Sequence, residues 1–205
     1  MVIVSRGAVN TRKNVMVFID GNYLRKYAKE KYNTDLINYD KLGSYLASAA
    51  VGSYPNLIRI YYYDAIANMR DADKISDKHE RKIVEEKIRK YIEEQEEYFD
   101  KINKQEFVTI RKGHLVVANK ESPRQKGVDV LMAIDMLTAA YDRQYDWAVL
   151  VAGDSDFLEL VNAVKQTGAN IIGYYFKDHV SKDLVNAFDK RRELDGLDFN
   201  SNHFI

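Results

Sequence analysis

The feature that most restricts the fold of this chain is a recurring pattern: short apolar runs closed by turn residues, separated by segments of helical periodicity. Val15-Met-Val-Phe-Ile19 is apolar throughout and stops at Asp20-Gly21-Asn22. Leu57-Ile-Arg-Ile-Tyr-Tyr-Tyr63, Phe107-Val-Thr-Ile110, Trp147-Ala-Val-Leu-Val-Ala152 and Ala169-Asn-Ile-Ile-Gly-Tyr-Tyr-Phe176 are runs of the same kind. Continuous β-branched and aromatic runs read as strands buried on both faces, as in parallel sheets. Between them, Tyr23–Tyr32, Tyr39–Val51, Ile75–Ile102, Gly127–Ala140, Phe157–Thr167 and Ser181–Leu194 carry apolar residues at three- and four-residue steps, which predicts helices. Alternating strands and helices define an α/β fold around a mostly parallel sheet of about five strands. A hairpin turning at Gly113 into Leu115–Ala118 is also predicted.

One domain of 205 residues suits this pattern. Residues 1–14 read as a leader or an extra edge strand, 74–104 as a long charged helical insertion and 195–205 as a C-terminal tail. No stretch has transmembrane length, so a cytoplasmic protein that does not engage membranes is expected. The absence of cysteine excludes disulfides, thiolate metal sites and cysteine nucleophiles. His79, His114, His179 and His203 lack metal-ligand spacing. Thirty-one basic residues balance 31 acidic ones, so the charge must be read by position. Segment 74–104 neutralises itself, nine against nine, as a solvated amphipathic helix does.

What remains divides by sign. Asp20 and Asp64 directly follow predicted strands, and Asp154 and Asp156 follow the fourth by two and four residues. In open α/β sheets the ligand site lies beyond the carboxyl ends of the strands. Asp129 and Asp135 lie on one helix, but six residues are about 600° of rotation, so they do not share a face. Asp129, in the first turn, is the one nearer the strand ends; Asp135 reads as the partner of a basic residue. Crowded carboxylates repel each other, and a divalent cation preferring oxygen, Mg²⁺ or Mn²⁺, relieves that repulsion. From Arg111 to Lys126 there are five basic residues (Arg111, Lys112, Lys120, Arg124 and Lys126) against Glu121 alone. A basic flank beside an acidic pocket suits a polyanion lying across a metal site. Lys177, Lys182, Arg191 and Arg192 extend the track, and Tyr23 is a candidate for stacking a base.

Phe-Ile-Asp-Gly-Asn at 18–22, Lys-Gly-Val-Asp-Val at 126–130 and Val-Ala-Gly-Asp-Ser-Asp-Phe at 151–157, in that order, resemble the NYN domain, and its LabA-like branch within the PIN-like nuclease superfamily. The resemblance implies a three-layer, Rossmann-like PIN fold with strand order 3-2-1-4-5. It also implies a metal-dependent ribonuclease site, endonucleolytic, with Asp20, Asp129, Asp154 and Asp156 as acidic positions. Asn22, Lys126 and Ser181 match the motifs' polar and basic positions, and Ser155, Arg124 and Lys112 join them as candidate substrate contacts. The expected cofactor is Mg²⁺ or Mn²⁺ and the expected partner is RNA, single-stranded or structured, with a homodimer as an open alternative. A non-catalytic RNA-binding or regulatory scaffold and a structure-specific DNA nuclease are the competing readings.

Overall fold

The computed structural model describes residues 12–34, 36–52, 54–117 and 123–205. Most of the leader, Ala118 of the expected hairpin, and Lys120 and Glu121 of the basic segment lie outside the described residues. In chain order the elements are β1 (Asn14–Asp20), α1 (Gly21–Tyr32), α2 (Tyr39–Val51), β2 (Asn56–Ala67), α3 (Lys78–Asn103), β3 (Val108–Val116), β4 (Arg124–Lys126), α4 (Val128–Tyr141), β5 (Trp147–Val151), α5 (Leu158–Gln166), β6 (Asn170–Tyr175), α6 (Lys182–Ala187) and β7 (Lys190–Glu193).

They form a seven-stranded mixed sheet of order β4-β3-β2-β1-β5-β6-β7. This corrects the expectation of five strands in order 3-2-1-4-5. The five apolar runs occupy the centre, and a polar strand is added at each edge: β4, antiparallel to β3, and β7, parallel to β6. Neither edge strand carries an apolar run, because an edge strand exposed to water needs none.

Three other expectations are corrected. Gly113 does not turn the chain; β3 runs straight through it, and the antiparallel partner of β3 is Arg124–Lys126. A Cβ on Gly113 would come within 2.5 Å of Val128 and 2.9 Å of the Lys126 carbonyl oxygen, so glycine there lets α4 start close to the sheet. β2 continues to Ala67, so Asp64 lies inside a strand rather than after one. The last predicted helix ends at Ala187, and Lys190–Glu193 becomes β7, since the periodic apolar positions stop at Phe188.

Alternation along β1 supplies both faces of the sheet. Met16 and Phe18 face one core with Met132, Met136, Leu150 and Val161, whereas Val15, Val17 and Ile19 face the other with Leu24, Leu42, Leu46 and Val149. The long helix α3 serves both, contributing Val84 and Ile88 to the first core and Phe99 and Ile102 to the second. Its remaining surface is charged and laced with i,i+4 pairs such as Arg81–Glu85 and Lys101–Glu97. The chain's last residues pack rather than trail: Phe199 is fully buried and stacks on Tyr32 at 4.6 Å between ring centroids. Among the described residues, no helix is long and apolar enough to cross a membrane.

Candidate functional site

From β1 the chain goes outward to β2 and β3, and from β5 it goes outward the other way to β6. The crevice between the carboxyl ends of β1 and β5, which pair in register up to Ile19–Val151, is therefore the switch point of the sheet. Asp20 ends β1 and caps α1, its carboxylate accepting from the Tyr23 N–H at 3.0 Å. Asp154 follows β5 after Ala152 and Gly153 and caps a short turn, Ser155–Phe157, accepting from the Asp156 N–H at 3.0 Å. Asp129 stands in the first turn of α4. Gly127 starts that helix with φ of 77°, a left-handed conformation that glycine adopts without strain.

These carboxylates feel one another. Burial pushes the Asp20 carboxyl up to about 7, opposed by the Tyr23 N–H bond and reinforced by the charges of Asp129, Asp64 and Asp154. Asp129 is raised too, by partial burial and then by Asp154 and Asp156. The tertiary fold thus brings Asp20, Asp129, Asp154 and Asp156 into one field. Asn22, Lys126 and Ser155 are exposed near those carboxylates in sequence. The Ser181 N–H donates to the Gly153 carbonyl at 2.9 Å, which sets Ser181 against the Asp154 loop.

Asp64 is adjacent but differently employed. It is buried, and its oxygens accept from Arg25 Nη1 (3.1 Å), the Tyr62 hydroxyl (2.8 Å), the Ala65 N–H (2.8 Å) and Gln125 Nε2 (3.0 Å). Sequence reasoning missed Arg25, Tyr62 and Gln125. They come from three elements, and nothing in their spacing marks them as a set. Asp135 lies outside the cluster: Arg111 grips it at 2.7 and 2.9 Å and the Tyr63 hydroxyl donates to it at 3.0 Å. That pairing occupies Arg111, which leaves the basic flank. Lys112, Arg124 and Lys126 are exposed along the β3–β4 edge, with Lys112 Nζ 4.6 Å from the Phe99 ring centroid. Tyr23 is buried, its hydroxyl oxygen accepting from the Phe176 N–H at 2.8 Å, so it is a core residue and offers no stacking face. Of the histidines, His114 bonds Asp71 at 2.7 Å and His179 stacks on Tyr27.

The NYN domain family matches residues 14–195, nearly the whole chain. The chain belongs to the NYN domain family. That family generally comprises nucleases of the PIN-like superfamily. A similar solved structure is a protein of unknown function from Vibrio parahaemolyticus: TM-score 0.59 and 18% identity, covering 91% of this chain and 96% of that one. At that identity the likeness concerns the fold alone. No curated protein matches by sequence.

An NYN nuclease site is expected to use a divalent ion. The donors present are all carboxylate oxygens; burial does most to raise Asp20, and the neighbouring carboxylates add a mutual repulsion that a dication would relieve. Among the described residues, however, no group of three or more Asp, Glu or His is gathered closely enough to hold an ion by itself. The fit is therefore one of donor type and charge, suited to an ion such as Mg²⁺ that keeps several waters and touches few carboxylates.

Proposed function

We propose that this protein is a metal-dependent endoribonuclease whose site is the carboxylate cluster at the β1–β5 switch point. The observation that carries the reading is Asp20 at a strand end, pushed up to about 7 by burial and by Asp129, Asp64 and Asp154. Groups tuned this far from their ordinary range concentrate at functional sites.

Asp20, Asp129 and Asp154 would hold Mg²⁺ or Mn²⁺ together with the waters that such an ion keeps, and Asp156 would stand beside them. The ion would neutralise the carboxylates and the phosphate oxygens of the substrate. The chain's own groups do the rest. Lys112, Arg124 and Lys126 bind the RNA backbone along the β3–β4 edge, and Asn22, Ser155 and Ser181 orient the phosphate over the switch point. Asp156 orients the attacking water and passes its proton to solvent. The water oxygen bonds to phosphorus as the P–O3′ bond breaks, and the departing O3′ takes a proton from solvent, leaving a 5′-phosphate and a 3′-hydroxyl.

The test is cleavage of single-stranded RNA in Mn²⁺ by the natural protein and by Asp20→Asn. Loss of cleavage in the variant, with its circular dichroism unchanged, is the expected result. Full activity in the variant, or activity in excess chelator, overturns the mechanism. One second reading is an RNA-binding scaffold on the same fold, since among the described residues no three carboxylates are gathered closely enough to hold an ion by themselves. RNA binding without Mn²⁺ uptake at millimolar metal would select it, and preferential cleavage of DNA would select a DNA nuclease.

A further inference from the structure

A second opening lies beside the switch point, at the end of β6. It is a pocket of about 230 Å³ between α1 and the short turn Lys177–His179, with Tyr27, Glu30, Phe176, Asp178 and His179 among its walls. That is smaller than the ~300 Å³ at which sites for drug-sized ligands begin, and it suits one small ring system. Tyr27 and His179 stack at 3.8 Å between ring centroids, with 16° between their planes. Tyr27 takes one face of the imidazole, and the His179 side chain is still 35% exposed, so the pair forms an aromatic ledge with a face to spare. Carboxylates edge the ledge. Glu30 Oε1 stands 4.0 Å from His179 Nε2, and Asp178 is exposed next to it. Asp195, at the far wall, is already engaged by Lys31 Nζ and by the Lys177 N–H, each at 2.7 Å.

The ledge touches the candidate site. A Cβ on Gly153 would come within 2.2 Å of the His179 carbonyl oxygen, so the backbone that carries His179 lies against the residue preceding Asp154. On the α1 side, Asn22, Lys26 and Glu30 are all exposed. They follow one another at steps of four residues, about 6 Å apart along one side of the helix. Lys26 Nζ lies 4.9 Å from the Tyr27 ring centroid. A polyanion leaving the switch point over Asn22 therefore meets a cation and then the ledge.

We propose that the ledge takes one unstacked nucleobase of the RNA, next to the cleaved phosphate, and that it selects guanine; the proposal rests on the RNA-cleaving reading given above. Single-stranded RNA is recognised by stacking splayed bases on aromatic side chains and hydrogen-bonding their edges. The base lies on the open face of His179 with its edge toward Glu30, and Lys26 binds the phosphate on the way. An ionised carboxylate only accepts hydrogen bonds. Guanine offers N1–H and the N2 amino group side by side, which matches the two oxygens of Glu30. Adenine and cytosine offer one amino group beside a ring nitrogen that only accepts. Uracil offers a single N3–H between two carbonyl oxygens, which a carboxylate repels.

Fluorescence anisotropy in low salt and excess chelator, with labelled RNA pentamers UUGUU and UUUUU, reads the base without any cleavage. The natural protein binds UUGUU about tenfold more tightly, the discrimination typical of one bidentate base contact. Glu30→Gln brings that ratio near one. His179→Ala weakens UUGUU by roughly fivefold or more, whereas His179→Phe, which keeps a stacking face, holds most of the affinity. Equal binding of the two pentamers by the natural protein, or a guanine preference that survives Glu30→Gln, overturns the proposal. So does a His179→Phe protein as weak as His179→Ala. Failure of the nuclease reading looks different: guanine-dependent binding with no cleavage in Mn²⁺ supports the pocket and sinks the nuclease. With cleavage present, cuts at a fixed offset from guanine support the proposal, and cuts indifferent to guanine overturn it.

Discussion

Gln125 donates to Asp64 at 3.0 Å, tying β4 to the buried centre of β2. β4 leads through Gly127 into the first turn of α4 and Asp129, so this bond anchors the approach to one carboxylate of the site beside another. Gln125→Leu keeps the volume and removes the donor. We expect a loss of about 1–2 kcal/mol in stability, the cost of leaving a buried acceptor short of a partner. Mn²⁺ affinity should fall several-fold as well, measured by calorimetry, because Asp129 loses its anchor. Unchanged metal affinity would show that β4 is positioned without Gln125.

Asp20 makes stability depend on pH in the direction opposite to most aspartates. Its carboxyl titrates at about 7 in the folded chain against an ordinary 3.8. Between those values the folded state binds the extra proton, so stability contributed by this group is present at low pH and falls as pH rises toward 7. Asp20→Asn retains an acceptor for the Tyr23 N–H and abolishes that loss. In chelator at pH 8 the variant should be more stable by roughly 1–2 kcal/mol, once screening by solvent is allowed for. That corresponds to a melting temperature higher by about 3–6 °C, with the gap closing toward pH 4. A variant less stable than the parent at pH 8 would contradict the burial of Asp20.

Gly153 tests the path that delivers Asp154. A Cβ there would come within 2.2 Å of the His179 carbonyl oxygen and 2.4 Å of the Tyr23 ring. Gly153→Ala must push the Asp154 loop away from the β6 end. We expect cleavage to fall at least tenfold while the sheet survives, because a displacement near 1 Å in a reacting constellation costs on that order or more. RNA cleavage assays with parallel melting curves would show whether the two effects separate.

Asp135 separates a structural carboxylate from a catalytic one. Asp135→Ala leaves the Tyr63 hydroxyl and the Arg111 guanidinium without their acceptor. A loss of about 1–3 kcal/mol is expected, with the RNA cleavage rate at saturation unchanged. A double-mutant cycle with Arg111→Ala should recover part of that loss, since each variant removes the same contact.

Local pattern sufficed for the five central strands, for most helix positions and for the carboxylates after β1 and β5. Apolar runs and turn residues act over a few neighbours, and burial on both faces demands continuous apolar strands wherever they lie in the sheet. The edges were not legible. β4 and β7 are Arg-Gln-Lys and Lys-Arg-Arg-Glu, and their strand character comes from a neighbour's hydrogen bonds rather than from their own side chains.

The same division holds within the site. Asp64 reads like Asp20 in sequence, each an acid directly after an apolar run, whereas Asp135 reads as the partner of a basic residue that the sequence does not name. Only the tertiary structure gave Asp64 four donors and Asp135 an arginine fork, while it set Asp20 among three other carboxylates. Residue type and spacing determined which groups could do chemistry. Which were neutralised by partners and which were held in mutual repulsion depended on contacts between residues far apart in the chain, and those exist only after folding.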